Sequence, residues 1–302
     1  MADEGSALLS HAHSLGALTA AMSSVLLSES GSLQEAEREA RELIAALHDM
    51  PRHWAIVERG TAMSPDDWSR ALGAARRRAA GAPLQYAAGR ASFRHLTLDV
   101  DERVLIPRPE TELLIDIVLE RTAGASGGIA VDVGTGSGAI ALALASEGGF
   151  ARVIATDISR DALLVAEGNL ARCGAALRAP VELRAGSLLR PVGERPLRAV
   201  VSNPPYISPS EAAALPPSVR DWEPPVALFS GEDGMLATAR LVREASDALG
   251  EGGLLALEVD ARRASLTSEL VATHGAYEQV QVLLDLTGRE RFVVARRREG
   301  VR

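Results

Sequence analysis

The chain is expected to fold as an α/β protein, with a small helical domain ahead of an open, mostly parallel sheet that carries helices on both faces. Three observations predict this. Residues up to about 90 show helical periodicity and no strand pattern. From Arg108 onward, short apolar strands alternate with helices, the pattern of a buried parallel sheet. The last two strands are joined by residues 285–290, too few for a crossover helix, so they are expected to pair as an antiparallel hairpin.

In the N-terminal part, residues 33–47 place Ala36, Ala40, Leu43, Ile44 and Leu47 at three- and four-residue spacings, an amphipathic stripe. Ser64-Pro65-Asp66-Asp67 reads as a helix start, with Ser64 as the cap and Pro65 in the first turn. That helix runs through Trp68, Leu72 and Ala75 into Arg76-Arg77-Arg78. The dipole favours such cations at a solvated helix C-terminus, which explains them better than a nucleic-acid contact does. Gly81-Ala82-Pro83 ends it. Residues 92–100 alternate and are read as part of a hairpin linker, residues 91–107, with a turn at residues 99–103.

The sheet domain, residues 108–302, is expected to begin its strands at residues 129–133, followed by a glycine-rich turn and a helix over 139–146. Residues 153–156 form a second strand closing at Asp157, and a helix follows over 159–172. Residues 181–184, 199–202 and 254–259 supply three more strands, the last after a helix near 235–249. Residues 277–284 and 291–296 complete the set, with Gly288 in their turn.

Composition limits the function. Of 302 residues, 47% are hydrophobic and 24% charged, which suits a globular protein with a sizeable core. No apolar run approaches the roughly 18 residues that span a bilayer. The acidic start Met-Ala-Asp-Glu is unlike a secretory signal, so a cytoplasmic protein that does not engage a membrane is expected. A single cysteine, Cys173, excludes an internal disulfide and any cysteine-cluster metal site, and it is expected to pack rather than react. All 32 cationic residues are arginine. Without lysine there is no phosphate-loop lysine and no Schiff-base chemistry. The net charge of −8 argues against a broad nucleic-acid footprint. His11 and His13 are read as terminal histidines rather than metal ligands, and Trp222 as a structural or lid residue in a proline-rich loop.

Two motifs carry chemistry. Asp132-Val133-Gly134-Thr135-Gly136-Ser137-Gly138 lies between a buried strand and a helix, where glycines let the backbone turn tightly and approach a ligand. Asp157, ending the next strand, can accept hydrogen bonds from ribose hydroxyls. The spacing is Gly-x-Gly-x-Gly rather than the dinucleotide Gly-x-Gly-x-x-Gly, and a carboxylate at Asp132 would repel a pyrophosphate. It suits the cationic amino-acid end of S-adenosylmethionine, directly or through water. Ser202-Asn203-Pro204-Pro205-Tyr206 follows the fourth strand on the same sheet edge. Prolines remove amide hydrogens and leave carbonyls that only accept. With the Asn203 side-chain oxygen they can take both hydrogens of a planar NH2 group while Tyr206 packs on its face. Such a nitrogen is a poor nucleophile, and holding it in line for attack can supply about 7–11 kcal/mol.

On these motifs the chain resembles the bacterial release factor glutamine methyltransferases over nearly its full length. The matching segments are Pro83-Leu84-Gln85-Tyr86 with Gly89, Leu105-Ile106-Pro107-Arg108-Pro109-Glu110-Thr111-Glu112, the loop from Asp132 to Gly138, and Asn203-Pro204-Pro205-Tyr206-Ile207. Val219-Arg220-Asp221-Trp222-Glu223-Pro224 and Asp285-Leu286-Thr287-Gly288-Arg289 complete them. The Asn-Pro-Pro-Tyr tetrad is shared with enzymes that methylate adenine; the arginine-proline segment together with the tetrad is far more specific.

The resemblance implies a class I S-adenosylmethionine-dependent methyltransferase, Rossmann-like, with a seven-stranded sheet. It implies N5-methylation of the glutamine in the Gly-Gly-Gln motif of class 1 peptide chain release factors, with residues 1–90 helping to hold that partner. Carried over, Gly134, Thr135, Gly136, Ser137, Gly138 and Asp157 hold S-adenosylmethionine, with Ser187 at the adenine and Asn203 also in reach of the donor. Asn203, as the catalytic residue, holds the glutamine amide with Pro204, Pro205 and Tyr206. The segment from Arg108 to Glu112 belongs near the active-site entrance. No metal is implied. Two departures stand out: Ala185-Gly186-Ser187 replaces the acidic and aromatic residues often found at the adenine, and Glu258-Val259-Asp260 lacks an expected glycine.

Two other functions compete. An adenine-N6 methyltransferase acting on nucleic acid needs a basic docking surface, whereas residues 1–90 hold 9 arginines against 11 acidic residues. A non-catalytic binding module would keep the glycine loop but have no use for Asn203.

Overall fold

The structure, a computed structural model, describes residues 13–300. The described residues divide into two compact units: those up to Ala91 together with Pro216–Trp222, and Ser92–Leu215 together with those from Glu223 onward. Among the described residues no helix is long and apolar enough to cross a membrane.

The first unit is helical: α1 (Leu15–Ser30), α2 (Leu33–Leu47), α3 (Trp54–Val57), α4 (Pro65–Ala79) and α5 (Leu84–Ala88). Leu15, Leu18, Met22 and Leu26 line one face of α1 and pack with Ala36, Ala40, Leu43 and Ile44 of α2 and the small residues Ala71, Ala74 and Ala75 of α4. Small residues on α4 let helix axes approach closely. Ser64 caps α4 as expected, accepting from the Asp67 amide while Asp67 accepts from the Ser64 amide, a reciprocal capping box. At the other end, Arg78 pairs with Glu39 at 2.7 Å, whereas Arg76 and Arg77 are exposed to solvent.

β1 (Arg90–Phe93) and β2 (Leu96–Asp99) form a two-stranded sheet, and the division between the units falls inside β1. The hairpin is read from sequence with its turn at residues 99–103. The structure corrects this: the reversal lies between β1 and β2, at Arg94, whose φ is +53°. Arginine is an uncommon residue in that conformation. Long-range partners hold it there: Glu112 accepts from the Arg94 amide and Glu147 accepts from its guanidinium at 2.6 and 2.7 Å.

The second unit continues with α6 (Pro109–Arg121), β3 (Ile129–Val133), α7 (Ala139–Glu147), β4 (Arg152–Asp157), α8 (Arg160–Cys173), β5 (Val181–Ala185) and β6 (Leu197–Ser202). After two short helices, α9 (Pro217–Arg220, in the first unit) and α10 (Pro225–Leu228), come α11 (Leu236–Ala248), β7 (Leu249–Glu258), α12 (Ala264–Thr273), β8 (Tyr277–Leu284) and β9 (Glu290–Arg297). The sheet has the order β5-β4-β3-β6-β7-β9-β8, parallel from β5 to β7 and antiparallel at β9 and β8. The terminal hairpin is therefore as expected, with β9 rather than β8 against the parallel part.

Side chains alternate across this sheet. Ala130, Ala199 and Val201 join α6 and α7 on one face, while Val131, Val200 and Leu255 join α11 and α12 on the other. Residues 139–145 of α7 are all buried, which is why that helix shows no polar stripe.

Asn169 of α8 ties the glycine-rich turn to the hairpin. Its Nδ2 donates to the Ser137 and Asp99 carbonyls, both at 2.9 Å, and its Oδ1 accepts from the Asp99 amide at 2.7 Å. We predict that Asn169→Ala lowers unfolding free energy by about 2–4 kcal/mol, because the buried Ser137 carbonyl and the partly buried Asp99 carbonyl both lose their donor. Asn169→Asp, which has no donors to give, is expected to fail as a replacement. Urea denaturation of the variants provides the check, and wild-type stability in either would remove the clamp.

Candidate active site

The site begins where β3 and β6 lie side by side. These parallel strands end in register, Val133 opposite Ser202, and the Ser202 hydroxyl donates to the Val133 carbonyl at 2.6 Å. The chain continues from β3 toward β4 on one side and returns as β6 on the other, so a crevice opens beyond the carboxyl ends of this pair. The turn holding Gly134–Gly138 leaves one strand and the segment Asn203–Tyr206 leaves the other.

A cavity of about 280 Å³ fills the crevice. Gly134, Gly136, Asp157 and Ser187 line it, facing Asn203, Pro204 and Pro205. Apolar cover comes from Ile158, Val226 and Leu236, which are otherwise exposed. Gly134 and Gly136 have φ of +75° and +54°, and a Cβ on either would meet nothing within 4 Å. Their backbone is thus bare toward open space. Asp157 closes the loop, accepting from the Gly136 amide at 2.9 Å and the Ser159 amide at 2.8 Å. Burial pushes its carboxyl above the usual range, against those amides.

Three of the expected loop residues stand behind the wall. Thr135 and Ser137 are buried, and Gly138 caps α7, where a Cβ would touch Leu142 and Ala166. Asp132 is fully buried. It accepts from the Thr135 hydroxyl at 2.6 Å and the Ala141 amide at 3.0 Å, so one carboxylate oxygen braces the turn from inside. Burial pushes its carboxyl up to about 7, with the charge of Asp157 adding to the effect and the two hydrogen bonds opposing it.

Across the crevice, Asn203 Nδ2 donates to Thr111 Oγ1 at 3.2 Å, and the Thr111 hydroxyl donates to Glu258 Oε2 at 2.7 Å. Tyr206 does not line the cavity; burial, with the nearby Glu258 charge, pushes its phenol up to about 12. Arg108 binds Glu223 at 2.6 Å, and burial raises the Glu223 carboxyl despite that charge. The segment from Arg108 to Glu112 thus reaches the site through Thr111.

Residues 109–215 match the family model "Methyltransferase small domain", and residues 21–89 match "PrmC N-terminal domain". A release factor glutamine methyltransferase of Moorella thermoacetica is 41% identical, over 89% of this chain and 94% of its own length. One of Deinococcus radiodurans is 40% identical, over 87% and 92%. The chain belongs to the release factor glutamine methyltransferase family. A solved methyltransferase from Pyrococcus furiosus, 19% identical with a TM-score of 0.50, covers 67% of this chain and 89% of its own, and shares the fold.

Within this family member, sequence reasoning missed Thr111 and Glu258 as parts of the site. Thr111 stands in the quoted arginine-proline segment, but nothing local says where its hydroxyl points. Other candidates are placed more simply. Cys173 is buried in the core at the end of α8, and His13 packs edge-on against Trp68. His11 lies outside the described residues. Among the described residues no cluster of metal-ligating side chains forms. Trp222 stands beside Gly81 within the helical unit.

The Thr135 hydroxyl ties Asp132 to the turn. Thr135→Val keeps the shape and removes the hydroxyl, so unfolding free energy is expected to fall by about 1–3 kcal/mol. Urea denaturation at neutral pH measures it; no change would mean that the hydroxyl does not hold the turn.

Proposed function

We propose that this chain methylates the side-chain amide nitrogen (N5) of the glutamine in the Gly-Gly-Gln motif of class 1 peptide chain release factors, with S-adenosyl-L-methionine as the donor. The observation that carries this reading is the pairing of two features at one crevice: a bare glycine turn closed by Asp157, and an Asn203 carboxamide whose NH2 end is already engaged by Thr111. That engagement leaves the Asn203 oxygen as an acceptor on the cavity that Asn203 lines.

The residues present fit the donor. Gly134 and Gly136 offer backbone against which its amino-acid portion can lie, Asp157 can accept from ribose hydroxyls, and Ile158, Val226 and Leu236 offer apolar faces to adenine with Ser187 beside them. When bound, the donor supplies an electrophilic methyl on a positively charged sulfur. Asn203 Oδ1 and a backbone carbonyl of the Pro204-Pro205 pair take the two hydrogens of the substrate carboxamide. They draw electron density toward its nitrogen and aim the lone pair. Acceptors placed around a nitrogen that becomes positive stabilise that charge as it develops. The prolines keep the tetrad rigid, so little reorganisation accompanies the reaction. No side-chain base is needed before attack, because the proton leaves after the new bond forms.

Residues 1–90 are proposed to hold the release factor, as the match to the family's N-terminal domain suggests.

The test is transfer of labelled methyl to a class 1 release factor, with mass mapping of the product and a parallel arm offering nucleic acid. Label on an adenine instead of the motif glutamine would favour the competing activity. Asn203→Ala is expected to abolish transfer with donor affinity nearly unchanged, and Asp157→Ala to weaken donor affinity about tenfold or more by calorimetry. Turnover close to wild type in the first would remove Asn203 from its role, and unchanged affinity in the second would remove Asp157. A chain lacking residues 1–80 is expected to lose transfer to the intact release factor while still binding the donor. Equal activity on the intact substrate would reject the docking role.

A further inference from the structure

A carboxamide has a donating end and an accepting end, and a single hydroxyl decides which end of Asn203 faces the cavity. Thr111 is buried in the first turn of α6 and has one proton to donate. Its Oγ1 lies 2.7 Å from Glu258 Oε2 and 3.2 Å from Asn203 Nδ2. Once that proton points at Glu258, the hydroxyl has only lone pairs left for Asn203. The amide must then present its NH2 to Thr111 and its oxygen to the other side.

We propose that Thr111 and Glu258 are positioning residues that set the polarity of the Asn203 carboxamide, holding its oxygen toward the cavity as the acceptor for the substrate NH2. The proposal rests on the reading of Asn203 given above. It goes beyond that reading because neither Thr111 nor Glu258 touches the reacting atoms.

The same geometry inverts with one proton. A protonated Glu258 can donate to Thr111 Oγ1, which frees the threonine proton for Asn203. The amide then turns its oxygen to Thr111 and offers NH2 to an incoming NH2, and two donors cannot bond. Glu258, 2% exposed at the end of β7, is poised for this exchange. Burial pushes its carboxyl up to about 7, and Glu110 of α6 adds to that; the Thr111 bond, Arg291 of β9 and Arg108 pull it down. Tyr206, raised to about 12, stays neutral throughout, and Asp260, two residues on in the chain, is held low by Arg262 against its own burial. Above about 7 Glu258 is ionised and only accepts, so the productive orientation holds; below that pH it is increasingly lost.

The experiment measures methyl transfer to a class 1 release factor between about pH 5.5 and 9, together with donor affinity by calorimetry. Thr111→Val is expected to lower kcat about tenfold or more with donor affinity within about twofold, and Thr111→Ser, which restores a hydroxyl, to recover most of it. Glu258→Gln keeps an acceptor for Thr111 and cannot ionise, so the decline of kcat on the acidic side is expected to flatten. Asp132, whose carboxyl burial also pushes up to about 7, is present in every variant and cancels from the comparison. If Thr111→Val keeps wild-type kcat, or Thr111→Ser is no better than Thr111→Val, the relay is overturned. An acidic limb in Glu258→Gln that matches wild type overturns it too. Should Thr111→Val lose donor binding through misfolding, the serine rescue and the Glu258→Gln profile still decide. Asn203→Ala separates the two readings: inactive Asn203→Ala beside fully active Thr111→Val removes only the relay, whereas active Asn203→Ala removes the substrate reading itself.

Discussion

The parallel pairing of β3 with β6 is the constraint on which the site depends. Because Val133 and Ser202 are partners in register, and the serine hydroxyl locks onto the Val133 carbonyl, both strands stop at the same level. Two loops of unrelated sequence are thereby delivered to one crevice. The neighbouring strands extend the same edge, with Val133 opposite Thr156 and Ser202 opposite Leu257. Asp157 and Glu258 are each the next residue after those partners. A slip of one residue in either ladder would turn these carboxyls to the other face of the sheet.

Four buried or partly buried carboxyl groups gather near that edge. Asp132, Asp157, Glu223 and Glu258 are all pushed above their ordinary range by burial, while the charges of Arg291 and Arg108 pull Glu258 the other way. Burying charge is costly, and such clusters occur where chemistry uses them. Here they do different work. Asp132 faces inward and braces the turn, Asp157 faces the cavity, Glu223 anchors Arg108, and Glu258 orders a hydroxyl.

Much of this was legible in the sequence because it is local. Residues 129–133 show a buried strand by composition, and Gly134, Gly136 and Gly138 announce a turn that needs positive φ, which all three adopt. Ser64 and Pro65 mark a helix start within four residues. What was not legible depends on distant partners. Arg94 adopts φ of +53° because residues 18 and 53 positions away hold it. The sequence places Asp132 beside the ligand turn, but that one of its oxygens accepts from the Thr135 hydroxyl and the Ala141 amide is a choice made by tertiary packing. The orientation of Asn203 is decided 92 residues away at Thr111, and Thr111 in turn is 147 residues from Glu258. Composition and periodicity carry no information at such separations. By contrast α6 left a visible signal, Pro109 at its first position with Glu110 and Glu112 in its first turn, that marks a helix start by the same logic as α4.

The use of a neutral acceptor at Asn203 follows from what stands beside it in the proposed reaction. A carboxylate in that place would accept hydrogens more strongly, but it would also attract the donor's positive sulfur, and its own ionisation would shift with the charge state of the site. An amide oxygen accepts without either complication, at the cost of an ambiguity, since rotation by half a turn converts acceptor into donor. The negative charge is therefore kept one residue back, on buried Glu258, and conveyed through a hydroxyl that can point only one way while that charge persists. Hydrogen bonds in such a chain polarise one another in a low-dielectric interior, so the distant carboxylate makes Asn203 Oδ1 a better acceptor as well as a correctly aimed one. Rigidity from Pro204 and Pro205 fixes where the acceptors are, and the relay fixes what they are. Neither suffices alone.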